Sequence, residues 1–270
     1  MAIGYMTNAF GPLYGTAAGV TCIKESGYYS DIDLEDTLKK ISECGCSNIE
    51  IFEINLLGYE NNIEELTSLC AKYGISILSV YIGCQFIYGD ALPDELAKVR
   101  KVCGLAKSVN AKYIVFGGGS LRASGIQEDD HKKLAEGVDK AAAICAEFGL
   151  NASFHPHLGS LVQTNEQIHK FFSLTDVDFC PDIAHLVAGG SDAMELAKEY
   201  HDRISYVHLK DLSDDGEFCP LGTGKIDLKG IIAYLKSVGY KGDWMIEIDG
   251  YSGDPVEACK ISVDFAKETI

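Results

Sequence analysis

Basic residues are scarce in this chain. Lysine and arginine number 23 against 40 aspartates and glutamates, a formal net charge of −17 over 270 residues. Nucleic-acid-binding domains carry a basic patch or stripe. The few cations here are outnumbered and scattered, so neither DNA nor RNA is expected as a partner, and polyanionic membrane surfaces are disfavoured for the same reason. Small neutral substrates fit such a charge. Long apolar runs are lacking too, since none reaches the roughly 18 residues of a membrane span. The opening MAIGYMTNAF has neither the basic n-region nor the long apolar h-region of a signal peptide, and a cytoplasmic location is the expectation. No second cysteine pair stands near Cys44 and Cys46, so this C-x-C reads as helix-end packing rather than a zinc site. Cys70, Cys103, Cys145, Cys180 and Cys259 fall in expected core elements and read as small buried hydrophobes. No G-x-G-x-x-G follows the first β-rich run, and no linker or low-complexity segment divides the chain.

What is present is a rhythm. Hydrophobic residues make up 47% of the chain, and short β-rich runs alternate with helical stretches. Strands are expected at Ala2–Met6, Ser47–Ile54, Ile75–Ile82, Lys112–Gly118, Asn151–His155, Val177–Asp182, Ile204–Lys210 and Trp244–Ile248. Helices are expected between them, with Asp33 a cap, Pro93 opening one, Thr164 and Gln167 forming a capping box, and Asp254-Pro255 opening the last. Eight closely spaced strand–helix units with apolar strands imply a parallel sheet covered on both faces. The expectation is an α/β fold, a (β/α)₈ TIM barrel forming a single domain over residues 1–270; such barrels take about 250 residues.

Barrel active sites form where strands end. The fifth strand ends in His155-Pro156-His157, and the sixth in Asp182 with His185 three residues on. The seventh carries His208, then Lys210 and Asp211, and the eighth carries Glu247, then Asp249. A single His or Asp at a strand end is as often an ordinary cap. Four neighbouring strands delivering His155, Asp182, His208 and Glu247 to one rim, each among apolar neighbours, point to a metal that partners them. Imidazole and carboxylate without thiolate suit Mn, Co, Zn or Fe as one divalent ion. His157 and His185 then exceed the ligand positions and are candidates for holding substrate hydroxyls or carrying protons.

At these residues the sequence resembles the xylose-isomerase-like barrels: sugar (phosphate) isomerases and epimerases, keto-cyclitol dehydratases and the endonuclease IV relatives. In the epimerase branch the metal is held by Glu, Asp, His and Glu from the last four strands. Asp182, His208 and Glu247 match three of these, and His155 stands where the resemblance implies a glutamate. FHPHLGS (154–160), PDIAHLVAGG (181–190), YVHLKD (206–211) and PLGTGKID (220–227) resemble the inosose dehydratase branch.

The chemistry implied is enediolate formation from a small polyhydroxy ketone, a keto-sugar or keto-cyclitol chelated through carbonyl and hydroxyl. Reprotonation gives an isomerase or epimerase; loss of a β-hydroxyl gives an inosose-dehydratase-type lyase. Glu247 is a ligand and a candidate base, and His155 or His157 the partner acid. Lys210 either stabilises negative charge on oxygen or is a solvated rim residue paired with Asp211. Of Glu50 and Glu53, three apart and so on opposite sides, one reaches the pocket; Glu53 is the substrate-binding candidate. Tyr5, Phe10, Tyr14, Phe86 and Tyr88 are pocket wall, core or the contact of a homo-oligomer. A non-catalytic sugar-binding barrel would need no such ligand set. An apurinic endonuclease would need a basic face that the charge denies.

Overall fold

A computed structural model of the chain describes residues 1–11, 13–15 and 26–270, with side chains except those of residue 8 and residues 13–15. Eight strands form one all-parallel sheet: β1 (Ile3–Met6), β2 (Asn48–Phe52), β3 (Ser76–Ile82), β4 (Tyr113–Gly117), β5 (Asn151–His155), β6 (Asp178–Phe179), β7 (Tyr206–Leu209) and β8 (Asp243–Ile246). Their order is β6-β5-β4-β3-β2-β1-β8-β7. Parallel bridges Phe179↔Ile204 and Asp182↔His208 join the two outermost strands and close the ring. The barrel helices are α1 (Leu34–Glu43), α2 (Ile63–Lys72), α3 (Leu92–Ser108), α4 (Asp130–Glu147), α5 (Asn165–Phe172), α6 (Ala193–Glu199), α7 (Leu228–Ser237) and α8 (Pro255–Thr269). The (β/α)₈ barrel is therefore the fold. Asp33 caps α1, Thr164 and Gln167 complete a capping box on α5, and Asp254 caps α8. Each supplies an acceptor to a helix N–H that has no partner within the helix.

Some boundaries moved. β2 ends at Phe52, and the apolar run expected to continue it turns instead into a short helix, Glu53–Leu57. β6 keeps only two ladder residues, and the chain beyond reaches Asp182 through the bridge to His208. A ring of strands has a fixed height, so residues past its rim are free to take other structure.

Successive strand residues point to opposite faces. One face of each strand packs under the helices in a large core. The other fills the barrel with Met6, Phe52, Tyr81, Tyr113, Val115, Cys180, Tyr206 and Met245. The same alternation carries polar residues into the interior above that plug. Tyr206 is followed inward by His208 and Lys210, Met245 by Glu247 and Asp249, Ser153 by His155, and Cys180 by Asp182. The cysteines behave as core: Cys103, Cys145, Cys180 and Cys259 are fully buried. The Cys44 and Cys46 thiols lie against the Val256 and Ile3 carbonyls.

Behind the rim, a buried ionic trio ties the short helix after β2 to α3. Lys98 Nζ stands 3.3 Å from Glu95 and 3.8 Å from Glu53, and it donates to the Ser26 carbonyl at 2.7 Å. Glu53 Oε1 accepts the Tyr28 and Gly83 backbone N–H groups. Burial outweighs these partners and lifts the Glu53 carboxyl from 4.5 to about 7. In Glu53→Gln the amide oxygen keeps both backbone bonds while the titrating proton is gone. A carboxyl that binds its proton more tightly when folded stabilises the fold in acid and loses that contribution as pH rises through the folded value. Relative to Glu53→Gln, the wild type should lose roughly 2–4 kcal/mol of stability between about pH 4.5 and about pH 7. Urea unfolding of both proteins across that range measures it; parallel profiles would show that Glu53 titrates as an ordinary carboxyl.

Candidate functional site

The inward positions at the ends of β5 to β8 converge. His155, Asp182 and His208 are fully buried and Glu247 is 3% exposed. One donor atom from each lies within 4.8 Å of every other. Local structure fixes each one. Asp182 caps the short helix Ile183–Ala188, Oδ1 accepting the His185 N–H at 2.9 Å, which turns Oδ2 toward the cluster. The cap also sets His185 one turn on, its Nε2 4.0 Å from Asp182 Oδ2. The Glu247 N–H bonds the Leu209 carbonyl at 2.9 Å, extending the β8–β7 ladder by one residue and holding Glu247 beside His208. His208 Nδ1 is 2.7 Å from Glu247 Oε2.

The residues present fit a divalent ion. Both ring nitrogens of His155 and Oδ2 of Asp182 are buried without a hydrogen-bond partner among the described residues. Buried polar atoms are normally satisfied, and an orphaned set aimed at one point marks a place for an ion. Two imidazoles and two carboxylates are a donor set for a borderline divalent metal. Burial, reinforced by the other histidines and Lys210, pushes the His155 pKa well below its usual value, so the ring stays neutral, as a ligand must be. Burial alone would do the same to His208, but Cys180, Glu50 and Glu247 around the ring raise its pKa instead.

A second polar layer lies above. Lys210 is fully buried, with Nζ 3.2 Å from Glu247 Oε1, 3.4 Å from Asp182 Oδ2, 2.7 Å from His185 Nε2, and also paired with Asp249. Burial opposes its charge, but Asp182, Asp249 and Glu247 raise its pKa above the usual lysine value. The reading of Lys210 as a solvated partner of Asp211 is thereby corrected. Asp211 instead accepts the backbone N–H groups of Leu212, Gly222, Gly224 and Ile226. That carboxylate folds residues 211–226 into a loop, and a Cβ on Gly224 would fall 2.3 Å from Asp211 Oδ1. The loop lays Phe218 over the second layer, 4.4 Å from Lys210 Nζ and stacked on His185.

Beside the cluster is a cavity of about 500 Å³, lined by residues including Tyr28, Tyr81, Tyr88, Gly117, His157 and Ser160. That volume suits a sugar-sized molecule. The His155 ring stands 5.5 Å from Tyr81 and 5.6 Å from His157, so the cluster lies one side chain behind the cavity wall. The glycines after β4 bring backbone to that wall; a Cβ on Gly118 would meet Ser160 Oγ at 2.0 Å. His157 Nδ1 is 2.7 Å from the Leu158 carbonyl, which can only accept, so Nδ1 carries the hydrogen and Nε2 is left as an acceptor. Burial pushes the His157 pKa down to about 3.

The structure thus brings together His155, Asp182, His208 and Glu247, sets Lys210 and His185 over them, and puts His157 at the cavity. Glu53 does not line the cavity and lies behind Gly83, which does. Glu50 is the glutamate that points into the barrel, its Oε2 3.3 Å from His208 Nε2. Asp249 is the other polar residue that sequence reading left without a role; its place two residues after Glu247 was the signal. Of the aromatics, Tyr88 lines the cavity, Tyr5 and Phe86 are buried, and Phe10 is half-buried 5.9 Å from Tyr5. The Tyr14 side chain lies outside the described residues. No helix among the described residues is long and apolar enough to cross a membrane.

Comparison with known proteins identifies the family of this fold. An inosose dehydratase of Geobacillus kaustophilus is 29% identical, the match covering 78% of this chain and 78% of that protein. A xylose isomerase-like TIM barrel protein from Mycobacterium smegmatis, solved in complex with magnesium, has a TM-score of 0.78 at 18% identity, covering 99% of this chain and 96% of that one. D-Psicose 3-epimerase from Clostridium cellulolyticum, solved with D-tagatose, has a TM-score of 0.77 at 15% identity, over 100% of this chain and 99% of that one. At such identities the two structures show a shared fold. The model of the xylose isomerase-like TIM barrel family matches residues 38–269, and the chain belongs to that family.

Proposed function

We propose that this chain, acting as one domain, is a divalent-metal-dependent enzyme that removes the proton beside the carbonyl of a small polyhydroxy ketone, a keto-cyclitol or keto-sugar. The observation that carries this reading is the buried set of four donors within 4.8 Å, with the His155 nitrogens and Asp182 Oδ2 lacking hydrogen bonds among the described residues. His155, Asp182, His208 and Glu247 would hold the ion, and the ion would supply Lewis-acid polarisation of the substrate carbonyl. Mn, Co, Zn or Fe suits the donors.

Glu247 is the base. Burial raises its pKa above the ordinary carboxylate range, which makes it a stronger proton acceptor while Lys210 holds it in place. Lys210, with its pKa raised, acts as a fixed positive charge rather than as a proton donor, and stabilises the negative charge of the enediolate. His157 presents Nε2 as an acceptor for a substrate hydroxyl. His185, held between Lys210 and Phe218, closes the second layer.

Loss of a β-hydroxyl, as in a dehydratase, is the favoured outcome. His155 stands where the epimerase resemblance implies a fifth-strand glutamate, which leaves Glu247 as the one glutamate among the four donors. The relative from Geobacillus kaustophilus described above is an inosose dehydratase. Isomerisation or epimerisation is the second reading, since a D-psicose 3-epimerase shares this fold and Asp182, His208 and Glu247 match three of the four ligands that the epimerase resemblance implies. No phosphate cradle stands out in the sequence, so an unphosphorylated substrate is proposed.

Elemental analysis tests the metal directly. The purified wild type should hold close to one Mn, Co, Zn or Fe per chain, and Asp182→Ala should hold almost none. A metal-supplemented wild type that still binds none would leave a sugar-binding barrel as the better account. Exchange of the substrate α-proton in deuterated water, followed by NMR on ketohexoses and keto-cyclitols, tests the base. Glu247→Gln should slow it by roughly 10²–10⁴-fold; undiminished exchange would remove Glu247 from that role.

A further inference from the structure

Beneath the four donors, in the layer of the barrel interior facing away from the cavity, lies a closed polar chain that the scheme above does not use. Glu50 on β2, Ser79 on β3 and Tyr206 on β7 are all fully buried. Glu50 Oε2 is 2.6 Å from Ser79 Oγ, and Ser79 Oγ is 2.7 Å from the Tyr206 hydroxyl. The same Glu50 oxygen is 3.3 Å from His208 Nε2. The Tyr206 ring is stacked on Tyr113 with centroids 4.5 Å apart, which holds its hydroxyl in place.

The hydrogens along this chain can be assigned from donor capacity alone. A carboxylate oxygen only accepts, so Ser79 spends its one hydrogen on Glu50. The Tyr206 hydroxyl must then be the donor to Ser79. The remaining contact of Glu50 Oε2 is His208 Nε2, which therefore carries its hydrogen toward the carboxylate. A neutral imidazole with its proton on Nε2 has its lone pair on Nδ1. Without an ion, Nδ1 lies 2.7 Å from Glu247 Oε2, and that carboxylate also only accepts, so Nδ1 carries a hydrogen too; it is the hydrogen that an ion held beside Glu247 would displace, leaving the lone pair on Nδ1.

We propose that Glu50 is a positioning residue for the metal centre. It fixes the tautomer and orientation of His208 so that Nδ1, not Nε2, is the ligating nitrogen, and Ser79 and Tyr206 hold the carboxylate to that task. The inference rests on the metal reading above. Its physical basis is general: a ligating histidine whose second nitrogen donates to a carboxylate is locked in orientation and made a stronger donor. The position is an expensive one for a purely structural residue. Glu50 Oε1 has no hydrogen-bond partner among the described residues, and an apolar side chain would fill the same space without a buried charge. Cys180 also lies against the His208 ring, but a thiol is a weak hydrogen-bonding partner beside a carboxylate.

Zinc-loaded protein labelled with ¹⁵N-histidine gives the first test and needs no variant. His208 should show metal-bound Nδ1 and a protonated Nε2 in two-dimensional ¹H–¹⁵N spectra; zinc on Nε2 would overturn the inference. Cobalt titration of Glu50→Leu and Glu50→Gln, monitored by the visible d–d bands, gives the second. Glu50→Leu should bind cobalt roughly 10–100-fold more weakly. Glu50→Gln, whose amide oxygen still accepts from His208, should recover most of that loss. Wild-type affinity and an unchanged spectrum in Glu50→Leu would overturn the positioning role while leaving the metal centre standing. A wild type that takes up neither ion would overturn both. If Glu50→Leu fails to fold, the wild-type spectra and Glu50→Gln still decide the matter.

Discussion

Everything at the mouth of this barrel depends on how charge is kept out of water. Asp182, Glu50, Glu247 and Lys210 are buried inside the ring of strands, with Asp249 at its edge. A charge in that position is costly unless an opposite charge or a full set of hydrogen bonds meets it. The ammonium of Lys210 answers three of these carboxylates at once, and His208 bridges two. Even so, among the described residues the two nitrogens of His155 have no hydrogen-bond partner, and Asp182 Oδ2 has the ion pair with Lys210 at 3.4 Å but no hydrogen bond. The carboxylates outnumber the one fixed cation, and the residual negative charge and unused lone pairs meet at the same point. A divalent cation would complete that balance, and under the function proposed above its Lewis acidity would be the chemistry such a site makes available.

The arrangement reads as three layers set by strand periodicity. Glu50, Ser79 and Tyr206 lie lowest, the four donors above them, and Lys210, His185 and Asp249 above those. Because alternate residues of a strand share a face, a strand that contributes to one layer contributes to the next two residues later. β7 supplies Tyr206, His208 and Lys210 in this way. Loops then finish what the strands begin: Asp211 gathers backbone N–H groups from residues 212–226, and the folded loop covers Lys210 with Phe218. PLGTGKID is therefore a structural motif in service of the site, with Gly224 fitting where only backbone has room.

This layering explains what could be read from sequence and what could not. The eight strand–helix units were legible because apolar runs, caps and glycines all agree. The convergence of His155, Asp182, His208 and Glu247 was legible because strand ends in a barrel converge whatever the intervening chain does. Glu50 and Glu53 were harder. Period-two reasoning holds only while the strand lasts, and β2 carries a register shift between Ile49 and Glu50 and turns helical at Glu53. Which glutamate faced inward depended on where the strand stopped. Lys210 was harder still, because its partners Asp182 and Asp249 come from other strands. Sequence proximity offered Asp211 instead, whose carboxylate is occupied by its own loop.

His155, Asp182, His208 and Glu247 are proposed together to enclose one divalent ion. Anomalous diffraction from crystals soaked in cobalt, recorded on both sides of the cobalt absorption edge, tests it most directly. One dominant peak is expected, within about 2.0–2.3 Å of a donor atom from each of the four residues. A peak at any other set of side chains, or none in crystals whose solution bound cobalt, would contradict it.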